Sequence, residues 1–172
     1  MTLAREMALE SEYVMGTFAR KPVEFVEGHG MTLIDDAGNE YLDFLSGIGV
    51  CSLGHCHPSI VQAVSDQAAK LIHVSNYYYI EHRGEVAQLL SNMLNAYVDE
   101  PSPETWKTFF ANSGAEANEC AIKLARLFAR QNAADSAAAP RIIVTLEGSF
   151  HGRTLASLAA TAQPAKQEAF QP

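Results

Sequence analysis

"FFANSGAEANECAIKLARLF", residues 109–128, holds the junction on which the fold turns. An apolar pair, Phe109-Phe110, gives way at Asn112-Ser113-Gly114 to a run in which Ala117, Ala121, Leu124, Ala125 and Phe128 recur at helical spacing. Extended chain therefore passes directly into a helix, predicted over 114–131, through a turn of small residues. Ser113 and Glu116 have the spacing of a capping box, in which the serine oxygen caps an early amide and the glutamate reaches back to the amide of the serine. Such a box leaves other first-turn amides free, and those of Gly114 and Ala115 suit a phosphate. The helix dipole adds only about 0.3–1 kcal/mol to such a contact. Spacing alone leaves both readings, cap and anion cup, open.

Outward from that junction, Thr105 to Ala111 reads as a strand. After a low-complexity loop at 132–140, "RIIVTLE" (141–147) is a β-branched run without alternation, as in a strand covered on both faces. "GSFHGRT" (148–154) follows, then a helix over about 154–161. Strand, helix and strand make a βαβ unit, which predicts a parallel sheet with a right-handed crossover. Ligands of such sheets gather beyond the carboxyl ends of the strands, where both Asn112–Ala115 and Gly148–Arg153 fall. Phe150 either fills a local core or offers its face to a flat ring. Arg153 is either a surface cation or a fork for a carboxylate.

The first hundred residues organise differently. Residues 1–18 read as an amphipathic segment with Met7, Val14 and Phe18 as apolar contacts. Residues 23–44 read as two or three antiparallel strands, with turns at Gly28-His29-Gly30 and Asp36–Asn39. "LSGIGVCSLGHCHP" (45–58) is a long, glycine-dotted loop. From Pro58 a helical face runs through Ile60, Val61, Val64, Ala68 and Leu71, and a second helix begins near Glu81. Cys51, His55, Cys56 and His57 match no zinc spacing, which argues against a metal. Three successive tyrosines, Tyr77 to Tyr79, fit either packing at a helix start or the rim of an interface or pocket.

Composition narrows the class. The chain has 172 residues, 48% of them hydrophobic and 19% charged, as in a globular protein. Its formal charge of -8 argues against a broad nucleic-acid footprint. No apolar stretch is long enough to span a membrane, and the first residues lack a secretory apolar region. Three cysteines suit reduced thiols, so a cytoplasmic protein is expected.

"YLDFLSGIGVCSLGHCHPSIVQA", "HVSNYYYIE", "FFANSGAEANECAIKLAR" and "EGSFHGRTLASLAAT" occur in this order over most of the chain. Together they resemble the class III pyridoxal-phosphate aminotransferases of fold type I, nearest the acetylornithine and ornithine branch. The resemblance implies an α/β fold: small-domain strands within 1–57, then an incomplete cofactor-binding large domain over 58–172 with a partial parallel sheet. It implies that Ser113, Gly114 and Ala115 hold the phosphate of pyridoxal 5'-phosphate, that Phe150 stacks on its ring, and that Arg153 grips a substrate carboxylate. Asn76 and Tyr77 match a segment near the dimer interface, so a homodimer is implied for the full-length form.

Amino-acid and 2-oxo acid substrates follow from the resemblance, with N-acetylornithine and 2-oxoglutarate of arginine biosynthesis favoured. Ornithine-specific relatives carry a tyrosine where this chain has Ile48, and an aliphatic residue suits an acylated, uncharged nitrogen. The alternatives are an ornithine or other ω-amino acid aminotransferase, or a non-catalytic binding module. No catalytic residue is carried over. Lys21, Lys70, Lys107, Lys123 and Lys166 all lie outside the family's cofactor-linking lysine motif. The chain alone is therefore expected to be inactive, and an incomplete sheet is expected to expose apolar surface and favour association.

Overall fold

A computed structural model describes residues 2–98, 105–135, 137–140 and 142–170. It forms two compact units, Met1–Ile80 and Glu81–Pro172.

The first unit opens with α1 (Leu3–Tyr13), whose first amide, Leu3 N–H, donates to Asp36 Oδ2 at 2.8 Å. Three strands follow, β1 (Phe25–His29), β2 (Thr32–Asp35) and β3 (Glu40–Leu42), in one antiparallel sheet of order β1-β2-β3. The turn expected at Gly28-His29-Gly30 lies one step later, because Gly28 pairs with Leu33 and His29 with Thr32 within the ladder. The turn at Asp36–Asn39 is where the sequence places it, closed by Asp35 Oδ1, which accepts from the amides of Ala37 (3.0 Å) and Asn39 (2.8 Å). Phe25 and Tyr41 meet edge to face, with ring centroids 5.3 Å apart.

The glycine-dotted loop then folds back on this sheet. Gly30 and His55 exchange backbone hydrogen bonds of 3.0 and 2.8 Å. Gly54 permits that approach, since a Cβ there would lie 2.9 Å from the Gly30 carbonyl oxygen. Within the loop is a one-turn element, α2 (Ser46–Gly49), in which Gly47 and Ile48 are left-handed. His55 Nε2 lies 2.7 Å from Asp43 Oδ2, which engages the residue the sequence offered as a metal ligand in a carboxylate pair. Helix α3 (Pro58–Lys70) has Pro58 in its first turn, as its sequence requires.

The second unit contains α4 (Arg83–Ala96), α5 (Gly114–Asn132), α6 (Leu155–Ala160), α7 (Pro164–Gln167) and a 3₁₀ turn, Glu168–Phe170. Helices α4, α5 and α6 start within a residue or two of where the sequence places them, α7 has no counterpart in the sequence reading, and the parallel pairing does not appear. Among the described residues, 105–111 and 142–147 run without ladder partners, and the ordered sheet is the antiparallel one of the first unit. A parallel strand needs neighbours on both sides to satisfy its backbone, and neither segment has one here. The α5 stripe expected to face inward is correspondingly open, with Leu124 63% and Phe128 66% exposed. Met7, Val14 and Phe18, the contacts expected of the first segment, are exposed as well. Trp106 Nε1 ties the first extended segment to α4 by donating to Asn95 Oδ1 at 2.8 Å. Ser157, Leu158 and Thr161 are instead enclosed around α6, and Ser91 of α4 is buried as well.

Candidate functional site

The start of α5 combines both chemistries that its sequence left open. Ser113 Oγ accepts from Glu116 N–H at 3.2 Å, as an N-cap does. Glu116 reaches back one residue further than a standard capping box, and its Oε2 accepts from Asn112 N–H at 2.8 Å. Asn112 Nδ2 donates to the same carboxylate oxygen at 3.0 Å. The box thereby closes over Asn112 and Glu116 and leaves the amides of Gly114 and Ala115 without partners among the described residues. Capping and an anion cup coexist at one helix end because they use different donors.

The "GSFHGRT" loop is clamped through its backbone. Gly148 N–H donates to the Ala162 carbonyl (3.0 Å), and Ala162 N–H donates to that of Ser149 (3.1 Å). His151 N–H donates to Thr161 Oγ1 at 2.9 Å, while the His151 carbonyl accepts from Asn118 Nδ2 at 2.7 Å. Gly152 is buried with φ of +134°, a conformation open to glycine, and a Cβ there would lie 2.7 Å from Ala115 Cβ and 2.5 Å from Ser157 Oγ. The missing side chain at Gly152 lets the loop rest directly on the first turn of α5. The two motifs, 33 or more residues apart in sequence at the Asn118–His151 bond, therefore meet in space.

With the backbone of Ser149, His151 and Gly152 turned inward, Phe150 and Arg153 face outward. Phe150 is 55% exposed, so it does not fill a local core, and Arg153 is exposed. The Arg153 guanidinium carbon lies 5.9 Å from the centre of the Phe150 ring, and Lys166 Nζ lies 5.7 Å from it. Lys166 also donates to Gln163 Oε1. An aromatic face flanked by two cations suits a planar, anionic ligand. Lys166 was not legible as a neighbour of Phe150, because its place beside the ring depends on the turn between α6 and α7.

Glu119 was also missed. Its Oε1 accepts from Thr154 Oγ1 (2.5 Å), Ala156 N–H (3.1 Å) and Ser157 N–H (3.2 Å) at the start of α6. These donors, the Thr154 hydroxyl foremost and then the Ser157 and Ala156 amides, hold its carboxyl below the usual range against the opposing effect of burial. Behind the loop, α5 and residues 143–146 line a groove of about 420 Å³. Ser149 Oγ and His151 Nε2 at its wall are buried without partners among the described residues. Among those residues no group of three or more His, Cys, Asp or Glu side chains is placed to hold a metal, and no helix is long and apolar enough to cross a membrane.

Gly152 thus seats the Phe150–Arg153 loop on the first turn of α5. The sequence profile of the class-III aminotransferases matches residues 17–172, and the chain belongs to that family. It is 49% identical over 160 residues to the acetylornithine aminotransferase of Nitrosomonas europaea, an alignment covering 93% of this chain and 37% of that protein. In fold it is similar to the ornithine aminotransferase of Toxoplasma gondii, whose structure has partial occupancy of PLP at the active site. That match has a TM-score of 0.82 at 28% identity, covering 99% of this chain and 38% of the other. The acetylornithine aminotransferase of Elizabethkingia anophelis is similar with a TM-score of 0.65 at 32% identity, covering 77% of this chain and 32% of that one. The chain thus spans under two-fifths of the length of these relatives, and over that span it has the α/β fold of their pyridoxal-phosphate-dependent class.

Proposed function

We propose that the chain is the amino-terminal portion of an acetylornithine aminotransferase and supplies one wall of its pyridoxal 5'-phosphate pocket. The observation that carries this reading is the seat of Gly152 on Ala115, which brings Phe150 and Arg153 to the helix start that bears free amides. In this reading the amides of Gly114 and Ala115, with Ser113 beside them, bind the cofactor phosphate. Phe150 presents its face to the pyridine ring and excludes water from it. Arg153 grips the α-carboxylate of N-acetylornithine, which leaves the distal amine toward the cofactor and 2-oxoglutarate as the amino acceptor. When bound, the cofactor supplies a carbonyl that takes up the amino nitrogen and an electron-poor ring that stabilises charge on the adjoining carbon.

The fit is to the cofactor's phosphate and ring. Lys166 stands over the Phe150 ring, but it is held by Gln163 and lies outside the family's lysine motif. Residues 1–172 alone therefore do not transaminate in this reading, and the cofactor-linking lysine comes from sequence beyond the matched part of the relatives. The assignment of 1–57 to a small domain and 58–172 to the cofactor domain, a homodimeric full-length form, a cytoplasmic location and a role in arginine biosynthesis belong to the same proposal.

The sequence relative is named for acetylornithine and the fold matches for both substrates, and in this reading the aliphatic Ile48 favours acetylornithine. Glutamate formation from N-acetylornithine and 2-oxoglutarate tests the reading. Residues 1–172 alone are expected to give none, whereas joining them to the remaining sequence of the Nitrosomonas europaea relative is expected to give turnover. In that joined enzyme Ile48→Tyr is expected to raise activity on ornithine relative to N-acetylornithine. Turnover by 1–172 alone, or a joined enzyme that prefers ornithine before substitution, contradicts the proposal.

A further inference from the structure

We propose that Glu119 is the positioning residue that fixes Phe150 and Arg153 against the Ser113–Ala115 turn; this rests on the reading of that turn and loop as one pocket wall. Asn118 and Glu119 are successive residues of α5, and they hold the two sides of the Gly152-Arg153 step. Asn118 takes the His151 carbonyl at 2.7 Å, before Gly152. Glu119 takes the Thr154 hydroxyl and the Ala156 and Ser157 amides, after Arg153. Ser113 caps the same helix. The rise from Ser113 to Glu119 is roughly 9 Å of continuous helix at about 1.5 Å per residue, so the span from phosphate amides to loop is set inside one rigid element.

The carboxylate suits this task better than a neutral side chain of the same helix face. One oxygen receives three donors, and a charged acceptor strengthens each bond. Two of those donors are first-turn amides of α6, which have no partner within their own helix. Releasing Glu119 frees the start of α6 with its N-cap Thr154, and with them the adjoining Arg153. The Thr161 bond to His151 and the Gly148–Ala162 bonds still hold the other end of the loop, so the change is local.

The experiment compares the 172-residue chain with Glu119→Ala and Glu119→Gln. Arg153 is exposed, and trypsin cuts after it only when the loop leaves α5, while cutting after Arg126 on α5 reports the helix itself. In Glu119→Ala, which removes the acceptor of all three bonds, cleavage after Arg153 is expected to rise at least about tenfold, the factor that losing even one charge-assisted hydrogen bond gives, with cleavage after Arg126 unchanged. Glu119→Gln, which keeps an accepting oxygen but loses its charge, is expected to give an intermediate rise of about threefold.

Ligand titration supplies the second readout. Glu119→Ala is expected to weaken pyridoxal 5'-phosphate about fivefold, through loss of the placed aromatic face, and to leave inorganic phosphate unaffected. Equal cleavage after Arg153 in Glu119→Ala overturns the inference, as does faster cleavage with undiminished preference for pyridoxal phosphate. If Glu119→Ala loses its fold, shown by faster cleavage after Arg126, Thr154→Val removes one donor and carries the same comparison. If the starting chain shows no preference for pyridoxal phosphate over phosphate, the pocket reading fails, and the cleavage arm still decides whether Glu119 holds the loop.

Discussion

Asp35 ends β2 with almost no exposure, yet its carboxylate is fully engaged. Besides the Ala37 and Asn39 amides, it accepts from Asn39 Nδ2 and Tyr41 Oη, each at 2.9 Å. These donors, the Asn39 side chain foremost, lower its pKa despite burial, and Asp43 is lowered mainly by its bond to His55. A carboxyl depressed in the folded state stabilises fully above its ordinary value, and that stability is lost as pH falls through the folded pKa. The thermal midpoint of the chain is therefore expected to hold near neutrality and to drop below about pH 4, with a shallower drop in Asp35→Asn. Identical acid profiles for the two proteins would show that Asp35 does not carry this dependence. Ile48 presents the opposite case, a β-branched residue at φ of +64° with 85% of its surface exposed. Little packing opposes its removal, so Ile48→Gly is expected to raise stability by about 1 kcal/mol in urea unfolding.

At the scale of elements, the capped start of α5 is both a stability feature and a frame for the site. Ser113→Ala removes the Oγ acceptor and is expected to cost about 1 kcal/mol in denaturant unfolding, while leaving the Gly114 and Ala115 amides free. Helix starts such as this were legible in the sequence because their determinants are local: Pro58 opens α3 and Ser113 with Glu116 opens α5. The extended segments 105–111 and 142–147 show the limit of that reading. Their β-branched and aromatic residues announce extension correctly, but pairing depends on distant neighbours that periodicity does not reveal. The site divides in the same way. Phe150 and Arg153 stood out through their residue types in a glycine-flanked loop. Asn118 and Glu119 carry no such signal, because their partners are reached only when Gly152 closes on Ala115.

Across the whole molecule, apolar side chains remain open to solvent on both compact units, among them Ile60 and Val64 in the first and Val144, Leu146 and Phe128 in the second. Such surface favours association, so light scattering of the purified chain is expected to show mass rising with concentration, and a strictly monomeric chain up to high concentration would count against this. In the proposed reading, the α5 start and the Phe150–Arg153 loop form one surface for pyridoxal 5'-phosphate. Equilibrium titration of the 172-residue chain with pyridoxal 5'-phosphate, followed by its near-ultraviolet and visible absorbance, tests that claim most directly. Saturable binding at one site per chain is expected, weakened about tenfold by Phe150→Ala through loss of ring stacking. Absence of saturable binding, or equal affinity in Phe150→Ala, would contradict the account.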